Sequence, residues 1–370
     1  MTSLEPPREI LAELPTPLRR LERCFGDAQV WIKRDDLTGL ECSGNKIRKL
    51  EYILAKLRRD GLDTLVTEGT AHSNHCRAAA AACARLGLHC HLILRPPRGT
   101  GSPAAPRAGV TAGSGDTTRL PMSIDPPQGN HLLQRLFGAT FEAHDASEYA
   151  ARREEIISAS LARLRSAGRR PGFTPTGASE PLGCWGYIRA AAELAEQLAA
   201  SGIENCDLMT AVSSGGTAAG LLLGRRLHRL DHVRLHFVPV SDDAAYHRAA
   251  LASLCHATCD AFQLPDRCRR DLHTEIHAGL IDDCIGEGYA TPYPEAVALI
   301  GRLARSEGLI LDPVYTSKAM VGLARGVEQR RLGVSRPVVF LHTGGAFSNF
   351  AWTEALRPAL ERPGAEGVKS

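Results

Sequence analysis

Short runs of β-branched residues and leucine alternate with helical stretches along most of this chain. Runs of the first kind are DTLVTEG at residues 63–69, CDLMTAV at 206–212 and PVVFL at 337–341. Turns that contain glycine separate such runs from helical stretches, for example GTAAGLLLGRRLHRL at 216–230. Strand, turn and helix in this order are typical of parallel sheets covered by helices, which bind ligands at the carboxyl ends of their strands. The sequence therefore predicts an α/β fold with mostly parallel sheets.

One segment breaks this alternation. Residues 96–129 are rich in proline, glycine, serine and threonine and show neither helical nor strand periodicity, so we predict a long loop. Loops of this length inside a compact domain are commonly lids or insertions. Because the segment follows the second unit of strand and helix, we expect it to lie over the ligand-binding edge of the sheet and to contact the substrate.

Composition limits the class of protein. The chain has 370 residues, of which 44% are hydrophobic, enough for one large domain or two interleaved domains. The net charge is +3 and the basic residues are dispersed, so neither nucleic acid nor a membrane is expected as a partner. No apolar run approaches the roughly 20 residues of a membrane span, and residues 1–25 lack the features of a secretory signal. Eleven cysteines without a C-x-x-C motif indicate free, buried thiols and a cytoplasmic location.

A lysine, Lys46, follows the turn SGN at residues 43–45 and stands in the first turn of a predicted helix. The apolar residues at positions 47, 50, 53, 54 and 57 have helical spacing. The aligned peptide dipoles make the start of a helix positive, which disfavours the charged form of an amine there. A partly desolvated amine with a lowered pKa can form a Schiff base. A solvated surface lysine is the alternative for this residue taken alone.

Two further junctions of strand and helix carry polar residues. The turn SSGGT at residues 213–217 opens a helix, where glycine lets backbone N–H groups approach an anion, so we predict a monophosphate site. It lacks the motifs of nucleotide P-loops and dinucleotide folds. Another helix begins after Ser73, where Asn74 can bind a phenolate oxygen and Ser73 a carboxylate. Ordinary packing and capping are the alternatives for the two turns.

A metal site is the main competing interpretation. One segment is rich in possible ligands, which are Cys255, Cys259, Cys268, His273 and His277. The segment has no C-x-x-C pair and reads as a helix with these residues on several faces, so we predict no metal. A hydrolase that uses Cys76 with His75 is disfavoured, because adjacent residues on a helix point about 100° apart.

Several motifs together resemble those of the fold type II enzymes that use pyridoxal phosphate. The clearest are SGNKIRKLEY at 43–52, SNHCRAAA at 73–80, QGNHLLQRLFGA at 128–139, SSGGTAAGL at 213–221 and LDPVYTSKAM at 311–320. The matching motifs are collinear from residue 14 to residue 345, which is nearly the whole chain. The pattern is most similar to the family that holds D-cysteine desulfhydrase and 1-aminocyclopropane-1-carboxylate deaminase.

The resemblance implies that pyridoxal 5'-phosphate is the cofactor. Lys46 would carry it as a Schiff base, and Asn74 would hold its ring hydroxyl. The residues that would bind its phosphate are Ser214, Gly215, Gly216 and Thr217. The catalytic residues that the resemblance implies are Lys46, Ser73, Tyr289 and Tyr315. Contacts to the substrate are expected from Asn45, Ser73 and His75.

Thr316 distinguishes the two chemistries of the family. The deaminase opens a cyclopropane ring, and the resemblance would require an acidic residue after DPVY to keep the pyridine nitrogen of the cofactor protonated. Here that residue is Thr316, and a hydroxyl does not stabilise a pyridinium as a carboxylate does. Thr343 likewise replaces an apolar residue of the deaminase pattern. Both features favour β-elimination, in which the departing thiolate removes the electrons.

The implied protein is a β-lyase that converts cysteine or a β-substituted alanine into pyruvate, ammonia and sulfide or thiol. The resemblance implies a homodimer and two interleaved three-layer α/β/α domains, a large one from residues 1–45 and 168–370 and a small one from 46–167. Three alternatives remain: β-replacement by a second nucleophile, the cyclopropane-acid deaminase, and a cofactor-binding module without turnover. The module is disfavoured because the residues that catalysis needs are all present.

Overall fold

The protein is described by a computed structural model that covers residues 4–95 and 127–361. Its strands are β1 (Leu18–Arg20), β2 (Val30–Lys33), β3 (Thr64–Gly69), β4 (His89–Leu94), β5 (Thr140–Ala143), β6 (Pro171–Thr174), β7 (Cys206–Val212), β8 (Val233–Pro239) and β9 (Val338–Leu341). Its helices are α1 (Asn45–Arg59), α2 (Asn74–Arg85), α3 (Gly129–Leu136), α4 (Ala146–Ser166), α5 (Pro181–Ala200), α6 (Gly216–Leu227), α7 (Ala244–Phe262), α8 (Leu272–Gly279), α9 (Pro294–Glu307), α10 (Thr316–Glu328) and α11 (Thr353–Leu360).

The strands form two sheets. The first has the strand order β1-β2-β9-β7-β8, in which β1 is antiparallel to β2 and the other neighbours are parallel. The second has the order β5-β4-β3-β6 and is entirely parallel. The predicted α/β fold with mostly parallel sheets is therefore confirmed.

Helices cover both faces of the central strands. Every residue of β3 and of β9 is buried, as expected for parallel strands between two helical layers. Glu68, the second-last residue of β3, is a charged residue in such a strand. It lies at the carboxyl end, where parallel sheets bind ligands.

The predicted boundary between the two domains stays a proposal. The first sheet combines strands from the start of the chain with strands from its later part, as an interleaved arrangement requires. The second sheet receives β6 from beyond the predicted boundary at residue 167. Of the predicted loop, residues 96–126 lie outside the described residues, so its position over the ligand-binding edge is a prediction. Its last residue, Gly129, begins α3.

The cysteine-rich segment contributes to the hydrophobic core. Cys255, Cys259 and Cys268 are buried there among apolar side chains of α5, α6 and α8. Within residues 4–95 and 127–361, no group of three or more histidine, cysteine or acidic side chains is arranged to hold a metal ion. No helix in the same part of the chain is long and apolar enough to cross a membrane.

A buried ion cluster joins α1 to α5 and to the segment after β2. The Arg48 guanidinium donates to both carboxylate oxygens of Asp35, at 2.8 and 2.9 Å, and to Glu193 of α5 at 2.9 Å. The Tyr187 hydroxyl also donates to Asp35, at 2.6 Å. Burial opposes ionisation of Asp35, yet the Arg48 guanidinium holds the pKa of this carboxyl below its ordinary value. The two helices cross closely, because a Cβ on Gly186 would lie 2.6 Å from the Arg48 carbonyl oxygen.

We expect Arg48→Met to destabilise the fold by about 3–5 kcal/mol, because it leaves the Asp35 carboxylate buried without its partner. Arg58→Met is the matched control on the same helix, since Arg58 is half exposed and forms an ion pair with Glu9. Loss of the ion pair between Arg58 and Glu9 should lower the free energy of unfolding by less than about 1 kcal/mol. Urea unfolding followed by circular dichroism measures both changes, and equal losses would contradict a structural role for the cluster.

Candidate active site

Lys46 is the second residue of α1, and two turns that contain glycine come into contact beside it. Gly44 has a φ of 100°, and a Cβ there would lie 2.7 Å from the Thr343 carbonyl oxygen. Gly344 has a φ of 90°, and its Cβ would lie 2.6 Å from the Gly44 Cα. The Asn45 N–H donates to the Thr343 carbonyl at 3.1 Å. Both positions require glycine, because a side chain would separate the turn before Lys46 from the turn after β9.

The Lys46 amine lies against Gly177, which has a φ of 70°. A Cβ on Gly177 would lie 3.3 Å from the Lys46 Nζ and would collide with the Ser214 Oγ. Burial lowers the pKa of the Lys46 amine to about 8. A sizeable neutral fraction then exists near neutral pH, and the neutral amine is the nucleophile that a Schiff base needs.

A second buried lysine, Lys49, lies one turn further along α1 and was not singled out from the sequence. Its side chain is fully buried, and its Nζ has no hydrogen-bond partner among the described residues. A Cβ on Gly216 would lie 3.1 Å from that Nζ. Burial and the nearby Lys46 lower the pKa of Lys49 well below its usual value. A buried amine without an acceptor, beside the start of a helix, is suited to an anion.

The predicted phosphate turn faces Lys49 at the start of α6. Gly215 precedes the helix with a φ of 89°, and Gly216 is its first residue. The Ser179 hydroxyl accepts from the Gly216 N–H at 3.1 Å and donates to the Ser214 hydroxyl at 2.8 Å. The first N–H groups of an α-helix have no intrahelical acceptor, so this turn presents donors to an anion.

Asn74, the first residue of α2, is held in place by Asn130 of α3. The Asn130 amide group donates to the Asn74 Oδ1 at 2.9 Å and to the His72 carbonyl at 2.8 Å. The Oδ1 of Asn130 accepts from the Arg77 Nε at 3.0 Å. Because the Asn74 oxygen is already an acceptor, its NH₂ group is the part that can donate into the site. The sequence does not indicate that Asn130 positions Asn74, although it does show the motif that contains Asn130.

Tyr289 and Tyr315 form a pair. Their hydroxyl oxygens are 2.5 Å apart, and their rings meet edge to face with centroids separated by 5.9 Å. Burial raises the pKa of both phenols, and for Tyr315 the neighbouring Tyr289 raises it further. A raised pKa keeps a phenol protonated at neutral pH, so the pair can supply protons and does not act as a base.

Ser73 and His75 lie at the start of α2. The Ser73 hydroxyl accepts from the Cys76 N–H at 3.3 Å and caps the helix. Burial lowers the pKa of His75 well below its usual value, so its imidazole is neutral. The Thr67 hydroxyl donates to a backbone carbonyl, and the His75 Nε2 therefore donates to the Thr67 oxygen at 2.8 Å. The Nδ1 of His75 is left as an acceptor without a partner in the described residues.

Thr316, the first residue of α10, is fully buried against Asp312. Its hydroxyl donates to the Asp312 Oδ1 at 2.6 Å and accepts from the Asp312 N–H at 2.7 Å. The hydroxyl proton is thus committed to Asp312, and only a lone pair remains for a ring nitrogen. Thr316 lines neither of the two cavities described next, so its contact with the cofactor stays a prediction.

The other predicted residues, except Gly216, line two adjoining cavities. The smaller has a volume of about 440 Å³, and its walls include Asn45, Lys46, Asn74, Ser214, Gly215, Thr217, Tyr315 and Thr343. The larger is lined by Lys46, Ser73, His75, Tyr289 and Tyr315, among others. The Asn45 amide donates to the Thr217 Oγ1 at 2.9 Å, on the side of the phosphate turn. A contact between Asn45 and the substrate remains a prediction.

These features are compatible with a site for pyridoxal phosphate. The Lys46 amine suits its aldehyde, the turn at residues 214–217 with Lys49 suits its phosphate, and the Asn74 amide suits its ring hydroxyl. Comparison with protein families agrees, because residues 10–344 match the pyridoxal-phosphate dependent enzymes. The chain belongs to this family, and pyridoxal 5'-phosphate is its cofactor.

Two curated relatives and one solved structure refine the comparison. The D-cysteine desulfhydrase of Klebsiella pneumoniae (strain 342) is 36% identical over 348 residues, which are 94% of this chain and 96% of that protein. The D-cysteine desulfhydrase of Salmonella choleraesuis (strain SC-B67) is 37% identical over the same shares. A crystal structure of a homologue of ACC deaminase, the cyclopropane-acid deaminase, has a TM-score of 0.76 and 31% identity, and covers 96% of this chain and 97% of its own. The resemblance and fold type seen in the motifs are confirmed.

We expect the pH dependence of cofactor capture to follow the lowered pKa of Lys46. The neutral amine reacts with the aldehyde, so the rate at which apoprotein captures pyridoxal phosphate should rise with pH up to about 8 and then level off. An ordinary lysine, with a pKa of about 10.4, would continue to gain reactivity for two further pH units. Stopped-flow measurement of visible absorbance gives the rate.

Borohydride reduction and peptide mass analysis should then place the pyridoxyl group on Lys46. Lys46→Ala should stay colourless. Lys49→Met should still form the covalent link but bind the cofactor at least about tenfold more weakly, because the phosphate loses a buried hydrogen-bond donor. A label on Lys49, or normal colour in Lys46→Ala, would contradict the assignment.

Proposed function

We propose that this protein is a β-eliminating carbon–sulfur lyase that acts on cysteine or a β-substituted alanine. The observation that carries the proposal is that the Lys46 amine and the Tyr289–Tyr315 pair line one cavity. The amine can accept a proton, and the phenols can donate one. These are the two proton transfers of an elimination. Similarity to two D-cysteine desulfhydrases over nearly the whole chain supports the proposal.

The overall reaction converts a cysteine or S-substituted cysteine and water into sulfide or thiol, pyruvate and ammonia. Pyridoxal phosphate, when bound, withdraws electrons from the substrate Cα and so makes its proton acidic. The neutral Lys46 amine takes that proton. The electron pair left at Cα forms the Cα–Cβ double bond, and the Cβ–S bond breaks with its pair on sulfur. Cβ then gains a proton and becomes a methyl group, and water replaces nitrogen at Cα, which releases ammonia and pyruvate.

The two tyrosines protonate the departing sulfur. One hydroxyl donates to the other, which leaves one O–H of the pair free to donate to the thiolate. The raised pKa of both phenols keeps that proton available at neutral pH. The cavity is open to solvent, which replaces the proton after each turnover.

The α-carboxylate of the substrate binds at the start of α2. Ser73 lines the same cavity as Lys46, and the first N–H groups of α2 have no intrahelical acceptor. A helix start with such donors attracts a carboxylate. The neutral His75 next to Ser73 lines the same cavity, and its Nδ1 is an acceptor without a partner among the described residues.

Deamination of the cyclopropane acid is the second candidate, and similarity to the structure of an ACC deaminase homologue favours it. Thr316 disfavours this deamination. Its hydroxyl proton is given to Asp312, so it offers a ring nitrogen no negative charge. β-Replacement requires the same base and the same carboxylate site, and it differs only in the nucleophile that enters after the sulfur leaves.

We expect pyruvate from one hand of cysteine or from β-chloroalanine, and no 2-oxobutyrate from 1-aminocyclopropane-1-carboxylate. Lys46→Ala should lower the rate of pyruvate formation by about 10³-fold, since both the covalent attachment and the base are lost. Lys56→Ala on the same helix is the control, because Lys56 is exposed and should leave the rate unchanged. The substrates are assayed as a panel of D and L forms. Formation of 2-oxobutyrate alone would contradict the proposal.

A homodimer and a cytoplasmic location are part of the proposal. Leu132 and Leu136 of α3 are 41% and 70% exposed, and Phe350 is 65% exposed in the neighbouring segment 346–351. Adjacent exposed apolar side chains are typical of an interface. The eleven cysteines, none of them in a disulfide, fit a reducing compartment.

Light scattering should give about twice the chain mass of 39.8 kDa. Combining Leu136→Lys with Phe350→Lys should shift the protein toward the monomer, because the two charges would be buried at the interface. Val334→Lys, at another exposed apolar residue, is the control. A wild-type monomer would count against the dimer but not against the chemistry, since a single chain lines both cavities.

A further inference from the structure

The larger cavity extends beyond the catalytic residues into a polar region that the proposed reaction does not use. Side chains from the carboxyl ends of β3 and β4 and from α4 line it, and they are Glu68, Arg95, Tyr149 and Arg153. With its solvent-open part, the cavity measures about 1210 Å³. The cavity is open to solvent, so a group attached to the sulfur of a bound cysteine can extend toward these side chains.

The negative charge in this region is already compensated. The Glu68 carboxylate accepts from the Arg153 guanidinium at 2.7 and 3.0 Å, from the Thr176 N–H at 3.1 Å and from the Tyr149 hydroxyl. Glu68 is 3% exposed. These donors occupy the acceptor sites of the Glu68 carboxylate. The positive charge of Arg153 is paired with this carboxylate. The contact with Glu68 also fixes the ring of Tyr149.

Arg95 has no counter-charge among the described residues. Its guanidinium carbon lies 5.5 Å from the centroid of the Tyr149 ring, and its Nε is buried without a hydrogen-bond partner among the described residues. Asp242, another acid that lines the cavity, forms no ion pair with Arg95 in the part of the chain that the structure describes. Arg95 lines the same cavity as the two tyrosines, Tyr289 and Tyr315. A buried donor of this kind favours an anionic ligand.

We propose that Arg95 binds an acidic group at the far end of the sulfur substituent, so that the enzyme prefers cysteine conjugates carrying a second carboxylate or a similar anion. The α-carboxylate has its own site at Ser73, which leaves Arg95 for the second anion. The Arg95 guanidinium lies over the face of the Tyr149 ring, and the hydrogen bond from Tyr149 to Glu68 holds that ring in place. This inference rests on the β-elimination proposed above.

The test compares S-carboxymethylcysteine with its neutral isostere, S-carbamoylmethylcysteine, in the hand that the enzyme accepts. The wild-type holoenzyme should show a kcat/KM for pyruvate formation that is at least about tenfold higher for the acid. Arg95→Met should lower kcat/KM for the acid by about 10- to 100-fold and leave the amide within about twofold. Arg95→Lys should keep part of the preference. Arg59→Met removes one exposed positive charge elsewhere and should change neither value.

A binding measurement separates this inference from the proposed reaction. In 2-aminoadipate a methylene replaces the sulfur, so nothing can leave, and its binding to the holoenzyme is followed by visible absorbance. Arg95→Met should weaken its binding but not that of norleucine. Equal kcat/KM for acid and amide in the wild type, equal losses for both in Arg95→Met, or pyruvate from cysteine but from neither conjugate would overturn the inference. Arg95-dependent binding without pyruvate from any substrate would instead overturn the lyase and keep the anion site.

Discussion

The burial of an arginine together with an aspartate is the constraint on which the rest of this structure depends. Arg48 and Asp35 are almost completely removed from water, where each charge is tolerable only beside the other. Arg48 lies two residues after Lys46, so the two side chains leave α1 on nearly opposite sides. The ion cluster therefore fixes the rotation of α1 about its axis. That rotation directs the Lys46 amine into the cavities.

Three glycines leave space around the Lys46 amine, because they have no side chain. Gly44, Gly177 and Gly344 all have positive φ, and a methyl group on any of them would meet the backbone or a side chain of another turn. These turns come from three distant parts of the sequence. Because these turns approach so closely, Lys46 at the start of α1 reaches the predicted phosphate turn that follows β7. Burial then lowers the pKa of the amine.

The fold class could be predicted because long strands and helices repeat with clear periodicity, whereas β1 and β2, of three and four residues, are too short to show any. The residues at the strand–helix turns were predictable because their chemistry is local. Lys49 and Asn130 were not, since a buried polar residue on a helix looks like a surface residue until its partners are known. The partner of Asn130 is Asn74, 56 positions away. Such contacts depend on packing that no local pattern contains.

The buried thiols of the core have a consequence for a protein that works with sulfur compounds. Thiol–disulfide exchange needs a thiolate, and its rate falls when the thiol stays protonated or inaccessible. Burial raises the pKa of Cys76, in the first turn of α2, to about 12, and that of Cys184 to about 11. These side chains therefore remain protonated at neutral pH. A core rich in cysteine is in this way kept from exchange with disulfides that form when thiols in the surrounding solution are oxidised.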